Sequence, residues 1–389
     1  MSRPAPGRLE RLRGSMESQG IDFIVCFKPE HSFYLCGFNP IIYSHPVIGI
    51  LARGNSPPIL LVNTLRKDGA EATPGDRIVE NYGKWFDVMT TGDTWQEAIS
   101  KIITRHGNIS GIKIGVELEL SASNYDDLEQ ALPGATLIYF SETIQKCREI
   151  KDKDELDNAR IAAKICNAQM VAAIGALRKP GCTEQSAVRA AWLAGFDLWA
   201  SDYSHLSPAG FGSLEGGDLY SFKTWVLAGE RRFLQCAAPI PRKIENEGVS
   251  VLIWSSVGGI HAELERTVFV GQVSQAEKRA NNVVKSVRAQ IFARLKPGIP
   301  INTLYELACG LLREWDYKAP GRIGHGIGLG AHETLSIDAK TTRRLSVGMI
   351  LTIEPNVKVP VDGVKTQLSD TVVITKDGFN YLNLFPEDS

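Results

Sequence analysis

The sequence has no long hydrophobic run and no excess of charge of either sign. It contains no stretch of about 18 consecutive apolar residues, the length that a membrane-spanning helix needs. Its first residues, MSRPAPGR, include no apolar segment of the kind found in a secretory signal peptide. The formal net charge is −1, and no long basic run is present. We therefore expect no signal peptide and no membrane span, and neither nucleic acid nor an anionic membrane as a partner.

Cysteine is present, but without the spacing of a disulfide scaffold or a zinc ribbon. The seven cysteines are scattered along 389 residues, are odd in number and include no C-x-x-C pair. This pattern is typical of free thiols in a reducing compartment. The sequence predicts a cytoplasmic protein that folds without disulfides or a structural metal, because a chain of this length can bury a large core.

The order of apolar strands and helical patterns predicts two domains, 1–145 and 146–389. In the first, short apolar strands such as 22–27 alternate with helices such as 94–105, which is typical of an α/β layer domain. The second begins after residue 150 with a long helix whose acidic first turn suits the helix dipole.

The second domain contains an internal repeat. A Lys-Pro-Gly turn at 179–181 closes one long helix, and another at 296–298 closes a second. Each turn is followed by a further helix and then by strands, including one predicted over 349–358. Two copies of this unit predict a duplicated α+β domain with a pseudo-twofold axis, and ligand sites often lie between such halves.

The densest functional signal is the glycine run 324–330, which surrounds one histidine and precedes another. Glycine permits positive φ and the close approach of a ligand. His325 lies inside the run and His332 follows it, in a sequence with only 7 histidines. We expect His325 to act as a general acid or base, because an imidazole pKa of about 6.5 suits proton transfer at neutral pH. Glu354 would orient it, and His332 would line the substrate pocket.

From about residue 145 to 380 the sequence resembles the pita-bread fold of methionine aminopeptidase, prolidase, aminopeptidase P and creatinase. The first 140 residues are similar to the N-terminal domain of creatinase and prolidase. Besides the two Lys-Pro-Gly turns, the motifs that carry the resemblance are Glu265-Arg266-Thr267, Gly324–Leu329 with His332-Glu333, and Thr352–Pro355. The resemblance implies an α+β pita-bread catalytic domain after an α/β creatinase-like domain. It also implies a homodimer in which the N-terminal domain of one chain covers the other chain's site.

The metallopeptidases of this family bind two divalent metals through two Asp, one His and two Glu, a set that suits Mn²⁺, Co²⁺ or Zn²⁺ and activates a bridging water. The His falls on His325 and the first Glu on Glu354. The first Asp falls on Trp254, the second on Glu263, and the last Glu on Ser369. Since two of the five ligands are absent, this pattern implies an enzyme without a metal or another cofactor.

Within the family, the site pattern resembles creatinase and ectoine hydrolase. Glu265 falls on the creatinase glutamate that pairs with a guanidinium, and Trp225 lies in a similar Trp-x-x-x-Gly segment. Cys236 stands where creatinase has its acid/base histidine, and is either a nucleophile or a small buried hydrophobe. Tyr43 and His45 fall near the creatinase residues that reach into the partner's site. With both the histidine and the carboxylate-binding arginine of creatinase replaced, we do not expect creatine as the substrate.

Two carboxylates are predicted to share one strand face. Glu263 and Glu265 are two residues apart, so their side chains point the same way. Beside Arg266 they either bind a cation or raise the pKa of one of the pair. Trp254 would offer its ring to a cation, or fill part of the metal position.

These residues predict a metal-independent hydrolase of a non-peptide C–N bond, such as that of an amidine, a guanidine or a cyclic amide. Glu265 would bind the substrate, and His325 would move a proton onto the leaving nitrogen. Three alternatives remain open. The first is a metal-dependent Xaa-Pro peptidase that holds one ion with Glu263, His325 and Glu354. The others are a non-catalytic protein that binds a small ligand or a partner in its cleft, and a lyase, because the fold does not determine the reaction.

Overall fold

The computed structural model describes residues 6–85, 87–211, 221–234 and 237–387. The chain divides into two compact units. The first comprises residues 1–148 with 209–220, and the second comprises residues 149–208 with 221–389. None of the described helices combines the length and the apolar character that a membrane crossing requires.

The first unit is an α/β layer built on one mixed sheet. Its strands are β1 (Phe23–Cys26), β2 (Ile48–Ala52), β3 (Ile59–Asn63), β4 (Ile78–Tyr82), β5 (Lys113–Val116) and β6 (Thr136–Tyr139). Its helices are α1 (Pro6–Gln19), α2 (Pro29–Cys36), α3 (Lys67–Ala72), α4 (Trp95–Thr104), α5 (Ala122–Ala131) and α6 (Ser141–Glu149). The strand order is β4-β3-β2-β1-β5-β6. The apolar face of α4, which includes Ile99 and Ile102, packs in one cluster with Val25 and Ile50 of the sheet.

The second unit combines four long helices of the described chain with a six-stranded antiparallel sheet. The helices are α7 (Lys153–Leu177), α8 (Glu184–Asp202), α9 (Gln275–Phe292) and α10 (Ile301–Arg313). The strands are β7 (Phe222–Ala228), β8 (Glu247–Val257), β9 (Ile260–Val270), β10 (Ile350–Ile353), β11 (Asn356–Val359), β12 (Val364–Gln367), β13 (Ser369–Ile374) and β14 (Phe379–Tyr381). The main sheet has the order β10-β13-β9-β8-β7, with β14 on β13, and β11 and β12 form a separate ribbon.

The predicted repeat is present in the backbone of this unit. The turn glycines Gly181 and Gly298 both adopt positive φ, 74° and 84°. The second residue after each glycine makes an isolated antiparallel bridge to a later basic residue, Thr183 to Lys243 and Pro300 to Arg344. Helix α7 begins with a capping box, in which Asp152 and Glu155 bond each other's backbone N–H groups, as its acidic first turn suggests. The α+β class expected for this domain is confirmed.

The prediction of one continuous strand over 349–358 is wrong. Strand β10 ends at Ile353, and β11 begins at Asn356 in the separate ribbon. Pro355 has no N–H group and cannot continue the hydrogen-bond ladder across this point. The break leaves Glu354 at the end of β10, next to the loop that contains His325.

Candidate active site

Adjacent strands of the main sheet bring four polar side chains to one face. Glu263 and Glu265 alternate on β9 and so point the same way. Trp254 on β8 lies directly opposite Glu263, and Ser369 on β13 lies directly opposite Glu265. Residues directly opposite each other on paired strands share a face. Strand register therefore gathers residues from three separate segments of the chain.

The glycine loop places His325 next to this face of the sheet. The backbone N–H of His325 donates to Thr352 Oγ1 (3.1 Å), and the N–H of Thr352 donates to the carbonyl of His325 (2.8 Å). The ring atom Nδ1 lies 3.0 Å from the carbonyl oxygen of Gly326. Because a carbonyl only accepts, Nδ1 carries a hydrogen, and Nε2 is left to face the carboxylates.

Gly324 is required by the close approach of this loop to β10. A Cβ atom at Gly324 would lie 2.2 Å from the carbonyl oxygen of Thr352, whereas a Cβ at Gly310 in α10 would have no neighbour within 4 Å. We expect Gly324→Ala to lower the free energy of unfolding by about 2–3 kcal/mol, because the loop must move away from the strand. Gly310→Ala is the control, and should be neutral or stabilising by about 1 kcal/mol. Denaturant unfolding of both variants tests this, and equal stabilities would contradict it.

Glu263 is the centre of the site and is fully buried. The indole Nε1–H of Trp254 donates to Glu263 Oε2 (2.6 Å), and the hydroxyl of Ser369 donates to Glu263 Oε1 (2.5 Å). His325 Nε2 lies 3.3 Å from Oε2. Burial by itself raises the pKa of Glu263, but the charge of His325 and the two hydrogen bonds outweigh burial and lower it below its ordinary value. Glu263 therefore holds a negative charge inside the protein.

Glu265 and Glu354 add two more buried carboxyl groups at the same point. One oxygen atom of each of Glu263, Glu265 and Glu354 lies within 4.8 Å of the others. Burial and the charges of its two neighbours raise the pKa of Glu265 well above its ordinary value. Burial and Glu263 likewise raise the pKa of Glu354 to about 7. Gln367 donates to Glu265, and Arg322 Nε lies 3.3 Å from Glu354 Oε1. A cation would relieve the repulsion between these carboxylates.

Aromatic rings lie next to the carboxylate cluster. The ring of His332 lies 4.4 Å from that of His325 and 6.2 Å from that of Trp254, measured between centroids. Trp225 packs edge-to-face against Trp254 at 5.1 Å. His332 is exposed, whereas His325 is fully buried. These rings offer apolar surface beside the charged groups.

The remaining residues proposed from sequence belong to the first unit or lie outside the described residues. Tyr43 and His45 belong to the first unit, where the hydroxyl of Tyr43 donates to Asn39 (3.1 Å) and the ring of His45 packs against Trp85. Their role at a partner's site stays a prediction. Cys236 lies outside the described residues.

Three contacts of the site were not predicted from the sequence. They are the hydrogen bond from Ser369 to Glu263, the hydrogen bond from Gln367 to Glu265, and the ion pair of Arg322 with Glu354. The first two join residues about a hundred positions apart. No local pattern carries such a signal, although the position of Ser369 where the family has a glutamate pointed to the site.

Comparison with known proteins places the chain in a family. The profile of metallopeptidase family M24 matches residues 157–376, and that of the creatinase/prolidase N-terminal domain matches residues 8–150. A protein of Staphylococcus epidermidis, described as an uncharacterized peptidase, is 23% identical over 385 residues, which cover 97% of this chain and 99% of its own.

Solved structures match over nearly the full length. The prolidase from Pyrococcus horikoshii OT3 superposes with a TM-score of 0.80 at 21% identity, covering 98% of this chain and 99% of its own. The Xaa-Pro dipeptidase from Bacillus anthracis gives a TM-score of 0.80 at 20% identity, covering 98% of each. The fold and the buried carboxylate and imidazole cluster define a pita-bread hydrolase. The chain belongs to metallopeptidase family M24.

The expectation of a metal-independent hydrolase of non-peptide C–N bonds is wrong. The matched family is one of metallopeptidases, and the proteins similar over the full length are named as prolidases, Xaa-Pro peptidases and other peptidases. The expected closeness to creatinase and ectoine hydrolase is not shown. The coarser expectation, a hydrolase of the pita-bread family, is confirmed.

Proposed function

We propose that this chain is a metal-dependent peptidase that cleaves the bond before proline in short peptides. The observation that carries the proposal is the convergence of Glu263, Glu265, Glu354 and His325 within one buried cluster. Three of its four members, Glu263, His325 and Glu354, are at positions where the family resemblance implies metal ligands. The names of the structural relatives support a proline-containing substrate.

The residues present fit a divalent ion. Three carboxyl groups and one imidazole form a set that suits Mn²⁺, Co²⁺ or Zn²⁺. The Nε2 atom of His325 is buried and makes no hydrogen bond of proper geometry among the described residues, while it lies 3.3 Å from Glu263 and 3.8 Å from Glu354. A buried polar atom without a hydrogen bond is costly unless something else satisfies it. An ion held by Glu263, Glu354 and His325, with Glu265 beside it, would do so.

Each group then has a defined task. When bound, the ion would lower the pKa of a coordinated water and polarise the carbonyl of the scissile bond. The hydrogen bonds from Trp254 and Ser369 hold the carboxylate of Glu263 in one orientation, and Gln367 does the same for Glu265. Trp225 and Trp254 provide a wall against which a proline ring can pack. His332, at the exposed edge, can pass a proton between the leaving nitrogen and solvent.

A metal-exchange assay tests the proposal. Protein stripped with a chelator should not hydrolyse Xaa-Pro dipeptides, and added Mn²⁺, Co²⁺ or Zn²⁺ should restore turnover. The matched control substrate is the Xaa-Ala dipeptide with the same first residue, which should be cleaved at least roughly tenfold more slowly, since it lacks the ring that packs on the tryptophans. Turnover that persists in chelator, or equal rates on both substrates, would contradict the proposal.

A second candidate is a binding protein that retains the fold without catalysis. The observation that favours it is the presence of Trp254 and Ser369 where the metallopeptidases of the family have carboxylates. Micromolar binding of Xaa-Pro dipeptides to the Mn²⁺-loaded protein, without any turnover, would show that the chain is a binding protein and not a peptidase.

We also propose a homodimer with an N-terminal unit near the partner's site, and a reducing, cytoplasmic location. The six described cysteines are buried and form no disulfide, which supports the reducing location. Light scattering on the purified chain decides the oligomeric state.

A further inference from the structure

The two family ligand positions that lack a carboxylate have a shared structural role in this chain. Trp254 and Ser369 are on different strands, yet both donate to the same carboxylate, one to each oxygen of Glu263. Both side chains are buried, so neither hydrogen bond competes with bulk water. The distances of 2.6 Å and 2.5 Å are those of strong hydrogen bonds to a charged acceptor.

These donors occupy both oxygens of Glu263. The indole N–H of Trp254 is a donor only and cannot coordinate a cation. The hydrogen atoms of Trp254 and Ser369 direct their positive ends toward Glu263, where they would repel an ion. The Nε2 atom of His325 lies 3.3 Å from Glu263 Oε2, and one carboxylate oxygen of each of Glu265 and Glu354 lies within 4.8 Å of a Glu263 oxygen. A cation in this cluster would therefore be held by His325 and the carboxylates, and not by Trp254.

We infer that this site takes one divalent cation rather than a pair, because Trp254 and Ser369 occupy the second ion's position and satisfy Glu263 in its place. The inference rests on the proposed metal dependence. It assigns to the chain a mononuclear centre built from Glu263, Glu265, His325 and Glu354, in which Trp254 and Ser369 hold the carboxylate of Glu263 by hydrogen bonds.

Metal stoichiometry of the full chain tests the inference. Chelator-stripped protein is titrated with Mn²⁺ and followed by elemental mass spectrometry after desalting and by electron paramagnetic resonance. We expect one Mn²⁺ per chain and the spectrum of an isolated ion. The double variant Trp254→Asp with Ser369→Glu should bind two, with the spectrum of a spin-coupled pair. The control Trp254→Phe with Ser369→Ala removes both donors without adding a carboxylate, and should still bind one.

The outcomes separate this inference from the proposed function. Two coupled ions in the wild-type chain would overturn the inference and leave the proposed function standing. No bound ion in the wild type would overturn the proposed function itself. A double carboxylate variant that folds and still binds one ion would overturn the assignment of Trp254 and Ser369 to the second position. If that variant does not fold, the wild-type stoichiometry alone decides between one ion and two.

Discussion

Replacing His325 by alanine is expected to lower kcat/KM for Xaa-Pro hydrolysis by roughly 100-fold or more. His325 is the only imidazole among the described residues that is fully buried beside the carboxylate cluster, with Nε2 3.3 Å from Glu263. Without it, an ion would lose its one nitrogen ligand, so bound metal should fall to about a tenth or less. Steady-state kinetics with a dipeptide and elemental mass spectrometry of the same preparation measure both effects.

His205→Ala is the matched control, because His205 is exposed on the turn after α8 and belongs to the same unit. It should keep the wild-type metal content and rate. Circular dichroism should show that both variants are folded. Full metal occupancy together with full activity in His325→Ala would show that the cluster is not the active site.

Replacing Arg266 by methionine is expected to cause the largest loss of stability, about 3–5 kcal/mol. The guanidinium of Arg266 is completely buried and pairs with Asp370 Oδ1 at 2.8 Å. It also donates to four backbone carbonyl groups, those of Glu265, Ser369, Phe385 and Pro386. Methionine preserves most of the side-chain volume but removes the guanidinium donor from the buried carbonyls of Glu265 and Ser369 and from buried Asp370, which costs far more than the loss of one exposed hydrogen bond.

Denaturant unfolding of Arg266→Met and of Arg294→Met provides the comparison. Arg294 is exposed, and its side chain bonds to Gln290, four residues earlier in the chain, so its replacement should change stability by about 0.5 kcal/mol or less. Hydrogen exchange should also show faster amide exchange near residues 385–387 in Arg266→Met, because the arginine ties that segment to β9 and β13. Equal stability of the two variants would show that the buried network is dispensable.

The helices and the internal repeat could be predicted because their signals are local. The capping box of α7 uses Asp152 and Glu155, which are three residues apart, and the turn glycines follow their helices directly. Strand β7, in contrast, was not predicted, although it contains Trp225. Its stability comes from pairing with β8 over its whole length rather than from its own pattern.

The sequence indicated which residues belong to the candidate site, but not which of them contact each other. The glycine run around His325 and the pair of Glu263 and Glu265 were predicted as site residues, because a purely structural role does not readily explain glycines and carboxylates at these positions. The pairing of β8 with β9 sets Trp254 directly opposite Glu263, which spacing along the chain does not show.

The sequence by itself determined which groups can donate, accept or bind a cation, since those capacities belong to the side chains. It also determined the α+β class and the repeat. Only the tertiary structure decided that Trp254 and Ser369 both donate to Glu263, and that Glu354 and Glu265 meet it within 4.8 Å. The physical reason is that hydrogen bonds and ion sites depend on distances of a few ångströms. Those distances are set by the register of strands whose partners are as many as 106 positions apart along the chain.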